Sequence, residues 1–186
     1  MKGFYRRHIY LLIFSLLVLL SGCEHTAYRD LDDFRPRGQM IRFSCPDAKL
    51  GYAYAMQPRV TSPYYLVIYH ERWGLDNYTR QEVERWFDLF DQKINVIAPD
   101  LYDGQRPTTA EEAADIMKNL SEIRASHIVK GTYGLYGIKG RYVALGRGFG
   151  GYWALQAGIL GLGQAAGSII YYGNPIMDQA KIAFLE

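Results

Sequence analysis

Cysteine and histidine are scarce in this sequence, with two and four copies among 186 residues. Neither cysteine belongs to a Cys-x-x-Cys pair or to a Cys/His spacing that would hold a metal ion. We therefore predict no metal site and no cofactor. Cys45 follows an alternating apolar run in IRFSCPD, which favours a half-buried strand residue over a reactive thiol.

Long apolar runs and a surplus of one charge are also missing. The longest apolar run, Ile9 to Leu20, is shorter than the ~20 residues that a membrane-spanning helix needs. The 21 lysines and arginines nearly balance the 19 acidic residues, giving a net charge of +2. Nucleic-acid binding calls for a clustered basic face, so this balance argues against such a partner.

The amino terminus has the plan of a secretory signal, with three cationic residues before the apolar run and small residues after it. The ending Leu-Ser-Gly-Cys resembles the lipobox of bacterial lipoproteins. That resemblance implies that residues 1–22 are a removed signal peptide and that Cys23 carries the lipid, at the cell envelope on a membrane facing the periplasm. Glu24 slightly favours the outer membrane. An ordinary signal peptide or a short membrane anchor is the alternative.

The mature chain is predicted to be a tether followed by one domain. Removing residues 1–22 removes three cationic residues and no acidic ones, which leaves a net charge of about −1. Residues 23–37 are polar and aperiodic, as is typical of a tether. Residues 38–186 are long enough to enclose one hydrophobic core.

Strand and helix patterns alternate along residues 38–186. MIRFSC and KLGYAYAMQP alternate in polarity and predict a β-hairpin or a meander. YYLVIYH, INVIAPD, RYVALG and SIIYYG are apolar runs typical of strands that are buried on both faces. Because helical segments separate these strands, the pattern predicts an α/β fold with a mostly parallel, doubly wound sheet.

Two capping boxes, Thr79 with Glu82 and Thr109 with Glu112, predict where two helices begin. Apolar residues follow each box at the spacing of one helical face: Val83, Trp86, Phe87 and Phe90 after the first, and Ala113, Ile116, Met117 and Leu120 after the second. GYWALQAGIL predicts a third helix. Residues 121–140 start like a helix, but their four later glycines favour a loop.

The segment LGRGFGGYWAL, Leu145 to Leu155, predicts a sharp turn from a strand into a helix. In hydrolases that use such a turn, the central residue of Gly-x-Ser-x-Gly is the nucleophile. Gly148 occupies that centre here. Glycine has no attacking atom, but it adopts the strained backbone of such a turn without steric cost.

Four segments resemble, in order and spacing, the dienelactone hydrolases of the α/β-hydrolase fold: VIYHERWGLDNYTRQEVERWFD, VIAPDLYDGQRPTTAEEA, VALGRGFGGYWAL and SIIYYG. The resemblance runs from about residue 40 to about residue 175. Its most specific pieces are Glu-x-x-Gly directly after YYLVIYH, Pro-Asp-Leu-Tyr, and the Gly-x-x-x-Gly-Gly turn. It implies an α/β-hydrolase domain of carboxylic-ester or lactone hydrolases.

The same resemblance places a cysteine nucleophile where this chain has Gly148, which excludes covalent catalysis of the family type. In the family, the triad histidine and aspartate follow the turn. Here the last histidine is His127, and the only aspartate after the turn is Asp178. These departures predict a degenerate catalytic site in a domain that lacks the last strands and helices of the fold.

Other parts of the family's site have counterparts here. Glu71 matches the family's glutamate near the nucleophile, and the backbone N–H groups of Arg72 and Phe149 match its oxyanion donors. A lone carboxylate is more often the partner of an arginine, and Arg72, Arg106 and Arg147 are the candidates. The alternative is that Glu71 acts as a base on a water molecule.

Histidines and paired tyrosines are predicted to have structural roles. Strand alternation places His70 on the opposite face from Glu71, and His127 is interpreted as a surface or capping residue. The pairs Tyr64/Tyr65 and Tyr171/Tyr172 are expected mainly to pack, with one tyrosine of the second pair bordering the cleft.

These features predict a dienelactone hydrolase-family lipoprotein without catalytic activity, which binds a small carboxylate or a protein partner at the envelope. Two alternatives stay open: an active ester or lactone hydrolase that uses water activated by Glu71, and a non-functional remnant of a longer hydrolase. Because the family's sheet continues beyond SIIYYG, residues Ser168 to Tyr172 are expected to form an unprotected edge that pairs with another chain.

Overall fold

The computed structural model of this protein describes residues 33–173. The predicted signal peptide, the lipidation of Cys23, residues 24–32 of the tether and residues 174–186 lie outside this range. Within it, no helix is long and apolar enough to cross a membrane. Phe34 is buried and Arg37 binds Glu84, so the last residues assigned to the tether pack against the domain.

Strands and helices alternate through the described residues, as the sequence predicted. The strands are β1 (Gln39–Ser44), β2 (Leu50–Met56), β3 (Tyr64–Tyr69), β4 (Asn95–Pro99), β5 (Arg141–Arg147) and β6 (Ala165–Tyr171). The helices are α1 (Asn77–Leu89), α2 (Ala110–Asn119), α3 (Glu122–Tyr136) and α4 (Phe149–Leu160).

The six strands form one sheet in the order β1-β2-β4-β3-β5-β6. β1 and β2 are an antiparallel hairpin, and β2 is also antiparallel to β4. β3 is parallel to its neighbours β4 and β5, and β5 is parallel to β6. The predicted hairpin and the mostly parallel α/β sheet are confirmed.

Both faces of the central strands are buried, which explains their continuous apolar runs. On one face, Val67 shares a core with Ile128 of α3 and Trp153 of α4. On the other face, Ile68 shares a core with Val83 of α1. Helices therefore cover the sheet on both sides, as the doubly wound prediction requires.

The start of α1 differs from the prediction. Asp76 is the N-cap, and its carboxylate accepts a hydrogen bond from the Thr79 N–H at 2.9 Å. The Thr79–Glu82 capping box is therefore wrong, and the Thr79 hydroxyl instead donates to the Gly74 carbonyl. An aspartate carboxylate is at least as good a cap as a threonine hydroxyl, so the helix begins at the earlier residue.

The second predicted helix start is confirmed in part. The Thr109 hydroxyl caps α2 by accepting a hydrogen bond from the Glu112 N–H at 3.2 Å. The Glu112 carboxylate accepts from the N–H of Thr108, not of Thr109. The bond from the Glu112 carboxylate therefore reaches the residue before the N-cap, and not the N-cap itself as in a capping box.

The helical start predicted for residues 121–140 is confirmed, and so is a loop after Tyr136. The loop predicted at the earlier glycines is wrong, because α3 continues through Gly131 and Gly134 to Tyr136. A Cβ on Gly131 would lie 2.9 Å from both a ring carbon of Phe43 and the carbonyl oxygen of Ser44. Gly131 is therefore present because the helix crosses closely over β1, and it does not mark a loop.

β6 is the last strand at its side of the sheet within residues 33–173, and β5 is its neighbour there. It starts at Ala165, before the predicted Ser168, and ends at Tyr171. Ile169 and Tyr171 are each 41% exposed, so the strand is less buried than its apolar sequence indicated. Self-association through this strand stays a prediction.

The paired tyrosines do not all pack as expected. Tyr65 joins the core and donates its hydroxyl to the Leu135 carbonyl at 2.9 Å. Tyr64 and Tyr172 are mostly exposed, which corrects the packing prediction for them. Tyr171 lies under the Arg147 guanidinium, 5.4 Å from it, and so borders the cleft beside Gly148.

Candidate functional site

Gly148 forms the turn between β5 and α4, with φ 51° and ψ −117°. Residues with a side chain rarely adopt this backbone conformation, and glycine adopts it without the clash of a Cβ. A Cβ placed on Gly148 would meet no atom within 4 Å. The predicted turn is therefore present, and the space beside its central residue is open.

Glycines on both sides of Gly148 allow three elements to touch. A Cβ on Gly146 would overlap the carbonyl of Gly150, and a Cβ on Gly150 would overlap the carbonyl of Tyr69. The first turn of α4 therefore rests directly on the end of β3. This contact brings the residues that follow Tyr69 close to the turn at Gly148.

The two N–H groups matched to oxyanion donors belong to Arg72, just beyond β3, and Phe149, the first residue of α4. Neither N–H donates to a backbone carbonyl among the described residues. The first N–H groups of a helix have no partner inside the helix and carry partial positive charge. The Arg72 guanidinium lies 5.1 Å from the Trp73 ring centre. The arrangement thus leaves two backbone donors available to an acceptor oxygen.

The carboxylate of Glu71 has no ion pair within residues 33–173, so the expected pairing with arginine is wrong. Arg106 pairs instead with Asp100 at 3.0 Å. Arg147 pairs with Glu82 at 2.9 Å. Glu71 and Arg147 nevertheless line the same small cavity of about 20 Å³, which places Glu71 close to the last residue of β5, next to Gly148.

His70 is a buried structural residue, and its ring is 1% exposed. Its Nδ1–H donates to the Glu71 carbonyl at 2.7 Å, and its Nε2 accepts from the Leu101 N–H at 3.1 Å. Burial lowers the pKa of His70, although the hydrogen bond to Glu71 opposes this. The neutral ring has no nitrogen left to act as a base, which agrees with the structural role predicted for it.

His127 and Cys45 lie in a second polar cluster, near the β1–β2 turn. His127 is half-buried on α3 with its Nδ1 3.4 Å from the Asp47 carboxylate. Cys45 is a buried free cysteine, and burial raises the pKa of its thiol. A packing role for Cys45 is confirmed, but the residue is buried and directly follows β1, which corrects the half-buried strand position predicted for it. No cluster of His, Cys, Asp or Glu within residues 33–173 is arranged to hold a metal ion.

The sequence profile of the dienelactone hydrolase family matches residues 52–184. The chain belongs to this family. No curated protein sequence is significantly similar to it. The match includes the turn at Gly148.

Solved structures of related proteins share the fold of this family member. A dienelactone hydrolase from Klebsiella pneumoniae has a TM-score of 0.58 and 16% identity, over 76% of this chain and 62% of that chain. The corresponding values for a dienelactone hydrolase from Anabaena variabilis are 0.54 and 17%, over 75% and 65%. An esterase from Thermogutta terrifontis has a TM-score of 0.51 and 16% identity, over 76% and 48%. This chain therefore spans less than two thirds of these structures.

One feature of the site was missed in the sequence, where Glu82 was assigned to a capping box. Its carboxylate is 2% exposed and bonds to Arg147, which also donates to the Tyr78 hydroxyl at 3.0 Å. This buried pair joins α1 to the last residue of β5, next to Gly148. The signal was available, because Glu82 lies between Thr79 and Val83 on the buried face of α1 and an acid there requires a partner.

Aromatic rings pack on the other side of the turn. The Phe149 ring lies 5.9 Å from the ring of His70 and 5.5 Å from that of Tyr102. The Tyr102 hydroxyl donates to the Arg72 carbonyl at 3.2 Å. These contacts join Arg72 and Phe149 through the side chain of Tyr102.

Proposed function

We propose that this dienelactone hydrolase-family protein is a non-catalytic envelope lipoprotein that binds a small carboxylate beside Gly148. The observation that carries the proposal is the turn itself, which keeps its strained backbone and its open space but has no side chain there. Covalent catalysis needs an attacking oxygen or sulfur at this position. Binding needs only the backbone.

The ligand's acceptor oxygen would lie in the space beside Gly148 and receive the N–H groups of Arg72 and Phe149. A carboxylate suits them because the start of α4 favours negative charge. The Gly148 N–H is not available, since it donates to the Tyr171 carbonyl at 2.9 Å. Glu71 repels negative charge, so each additional carboxylate on the ligand would weaken binding, and a ligand with one carboxylate and an apolar body is favoured over a dicarboxylate.

Amide NMR of the labelled protein tests the proposal. We expect benzoate to shift the Arg72 and Phe149 amide signals saturably, whereas benzyl alcohol does not. Gly148→Val, which fills the open space, should abolish the shifts, and Gly148→Ala should weaken them. Gly134→Ala, on an exposed position of α3, is the control. Benzoate shifts that are absent, or that persist unchanged in a folded Gly148→Val protein, would contradict the proposal.

A water-activating Glu71 is the second candidate function. The observation that favours it is that the Glu71 carboxylate lacks an ion pair among the described residues, while Glu71 lines a small cavity together with Arg147, the residue before Gly148. Steady hydrolysis of an aryl ester by the natural chain, lost in Glu71→Gln and retained in Glu111→Gln, would support this candidate. It would also contradict the non-catalytic proposal.

A further inference from the structure

The loops that precede β3, β4 and β5 lie together, because these neighbouring strands are parallel and start at the same end of the sheet. The Arg141 N–H donates to the Pro63 carbonyl at 2.9 Å, which joins two of the loops directly. We call this surface the amino-end face and define it as residues 57–64, 89–94 and 137–141. Gly148 lies beyond the opposite end of β5.

Large apolar side chains protrude from the amino-end face. Ile138 is 97% exposed, Val60 81%, Leu89 62% and Tyr64 59%. Single exposed apolar residues are ordinary, but several at one end of a domain mark an interaction surface. Residues 58–64 and 91–94 also enclose an open groove of about 710 Å³.

The same face is cationic. It contains four basic residues, Arg59, Lys93, Lys139 and Arg141, and one acidic residue, Asp91. Lys93 pairs with Asp91 at 3.0 Å, and both side chains are mostly exposed. Among the described residues, Arg59 and Lys139 form no ion pair. Apolar tips among basic residues are typical of surfaces that bind anionic lipid headgroups.

The chain also enters the domain at this end. Arg37 binds the carboxylates of Glu84 and Asp88, each at 2.7 Å, in the last turns of α1. α1 ends at Leu89, on the amino-end face. Residues 24–33 separate Cys23 from Phe34, and even fully extended they reach only ~35 Å. A lipid on Cys23 would therefore keep this end of the domain near the bilayer.

We propose that the amino-end face docks on the anionic phospholipid surface to which the lipid on Cys23 anchors the chain. The inference rests on the lipoprotein part of the proposed function, and not on carboxylate binding. The basic and apolar side chains of this face would add a second attachment to the one that the lipid supplies. Docking in this orientation turns the space beside Gly148 away from the membrane, toward ligands in solution.

Probe accessibility tests the docking. The mature lipidated protein is placed in vesicles of phosphatidylcholine with phosphatidylglycerol, with a cysteine introduced by Val60→Cys or, as the control, Glu111→Cys. Glu111 is exposed in the first turn of α2, which follows the carboxyl end of β4. We expect a membrane-impermeant maleimide to react about tenfold more slowly at position 60 than at position 111. Cys45 is buried and adds little reaction.

Reversing the charge of the face separates docking from anchoring. Arg59→Glu with Lys139→Glu should equalise the two labelling rates, while mass spectrometry still shows the lipid on Cys23 and the protein still sediments with the vesicles. Equal rates in the lipidated parent would overturn the docking proposal and leave the anchor intact. A chain without lipid would overturn both. Protection of position 60 that persists in detergent would indicate a second copy on this face and contradict lipid docking.

Discussion

The ring of His70 ties the end of β3 to the chain beyond β4, by accepting the Leu101 N–H at 3.1 Å on Nε2. The Nδ1–H of His70 donates to the Glu71 carbonyl, so the neutral ring carries its proton on Nδ1. Leu101 and His70 are both 1% exposed. The histidine beside Glu71 therefore holds two loops in place and takes no part in proton transfer.

His70 should make the protein less stable in mild acid. Burial lowers the pKa of His70 in the folded protein, so the unfolded chain, with a pKa of about 6.5, binds the proton first. The free energy of unfolding should thus fall as pH decreases below about 6.5 and level off at the lowered pKa. Urea unfolding between pH 5 and 7.5 measures this.

The matched variants for this prediction are His70→Gln and His127→Gln. His70→Gln should flatten the pH dependence and cost about 1–3 kcal/mol at pH 7.5, because a buried N–H or carbonyl loses its partner. His127→Gln, on a half-buried ring, should keep the slope that His70 causes. Equal slopes in the natural protein and His70→Gln would show that this histidine does not control acid stability.

The strands were predictable because their environment leaves a direct trace in the sequence. A strand buried on both faces has no polar alternation, and β3 and β4 show this in YYLVIYH and INVIAPD. The turn at Gly148 was predictable for a similar local reason, since its glycines are spaced for close contact between β5 and α4.

What could not be predicted depends on residues distant in the sequence. Gly131 resembled a loop glycine because nothing local shows that Phe43 lies against it. Arg147 was one of three arginines considered as partners of Glu71, whereas its actual partner Glu82 lies on a helix whose position over the sheet had to be known first. Ion-pair choice is set by packing geometry, which motif spacing does not contain.

Gly131 and Gly134 lie in the same helix and should respond oppositely to alanine. Gly131→Ala should destabilise the protein by about 1–3 kcal/mol, because its Cβ would lie 2.9 Å from atoms of Phe43 and Ser44. Gly134→Ala should stabilise it by about 0.5–1 kcal/mol, since no atom lies within 4 Å and alanine favours the helix. Thermal unfolding of the two variants checks the pair, and a shift of the same sign in both would contradict the close crossing of α3 over β1.

Arg147 should matter for stability because of the buried charge that it pairs. Arg147→Met removes the 2.9 Å ion-pair partner of the Glu82 carboxylate, which is 2% exposed, and should cost about 2–4 kcal/mol. Lys93→Met removes an ion pair between exposed side chains and should change stability by less than about 0.5 kcal/mol. Chemical unfolding measures both, and a small effect of Arg147→Met would mean that Glu82 finds other support.

Restoring a thiol at Gly148 should not restore turnover. The start of α4 lowers the pKa of a thiol placed there, whereas the carboxylate of Glu71 nearby raises it. A reactive thiolate still needs a base to complete each cycle, and both ring nitrogens of His70 are already hydrogen-bonded. We therefore expect Gly148→Cys to be acylated once by a reactive aryl ester and then to stop.

The control for this experiment is Gly134→Cys, which places an exposed thiol on α3 away from the turn. Product release is followed against enzyme concentration, with the natural chain measured in parallel. We expect at most one equivalent of product from Gly148→Cys beyond the reaction of Gly134→Cys, and none from the natural chain. Many turnovers by Gly148→Cys, lost when Glu71→Gln is added, would show that the carboxylate is a sufficient base. The non-catalytic state would then be due to the one missing side chain, because everything else that the reaction needs would still be present around the turn.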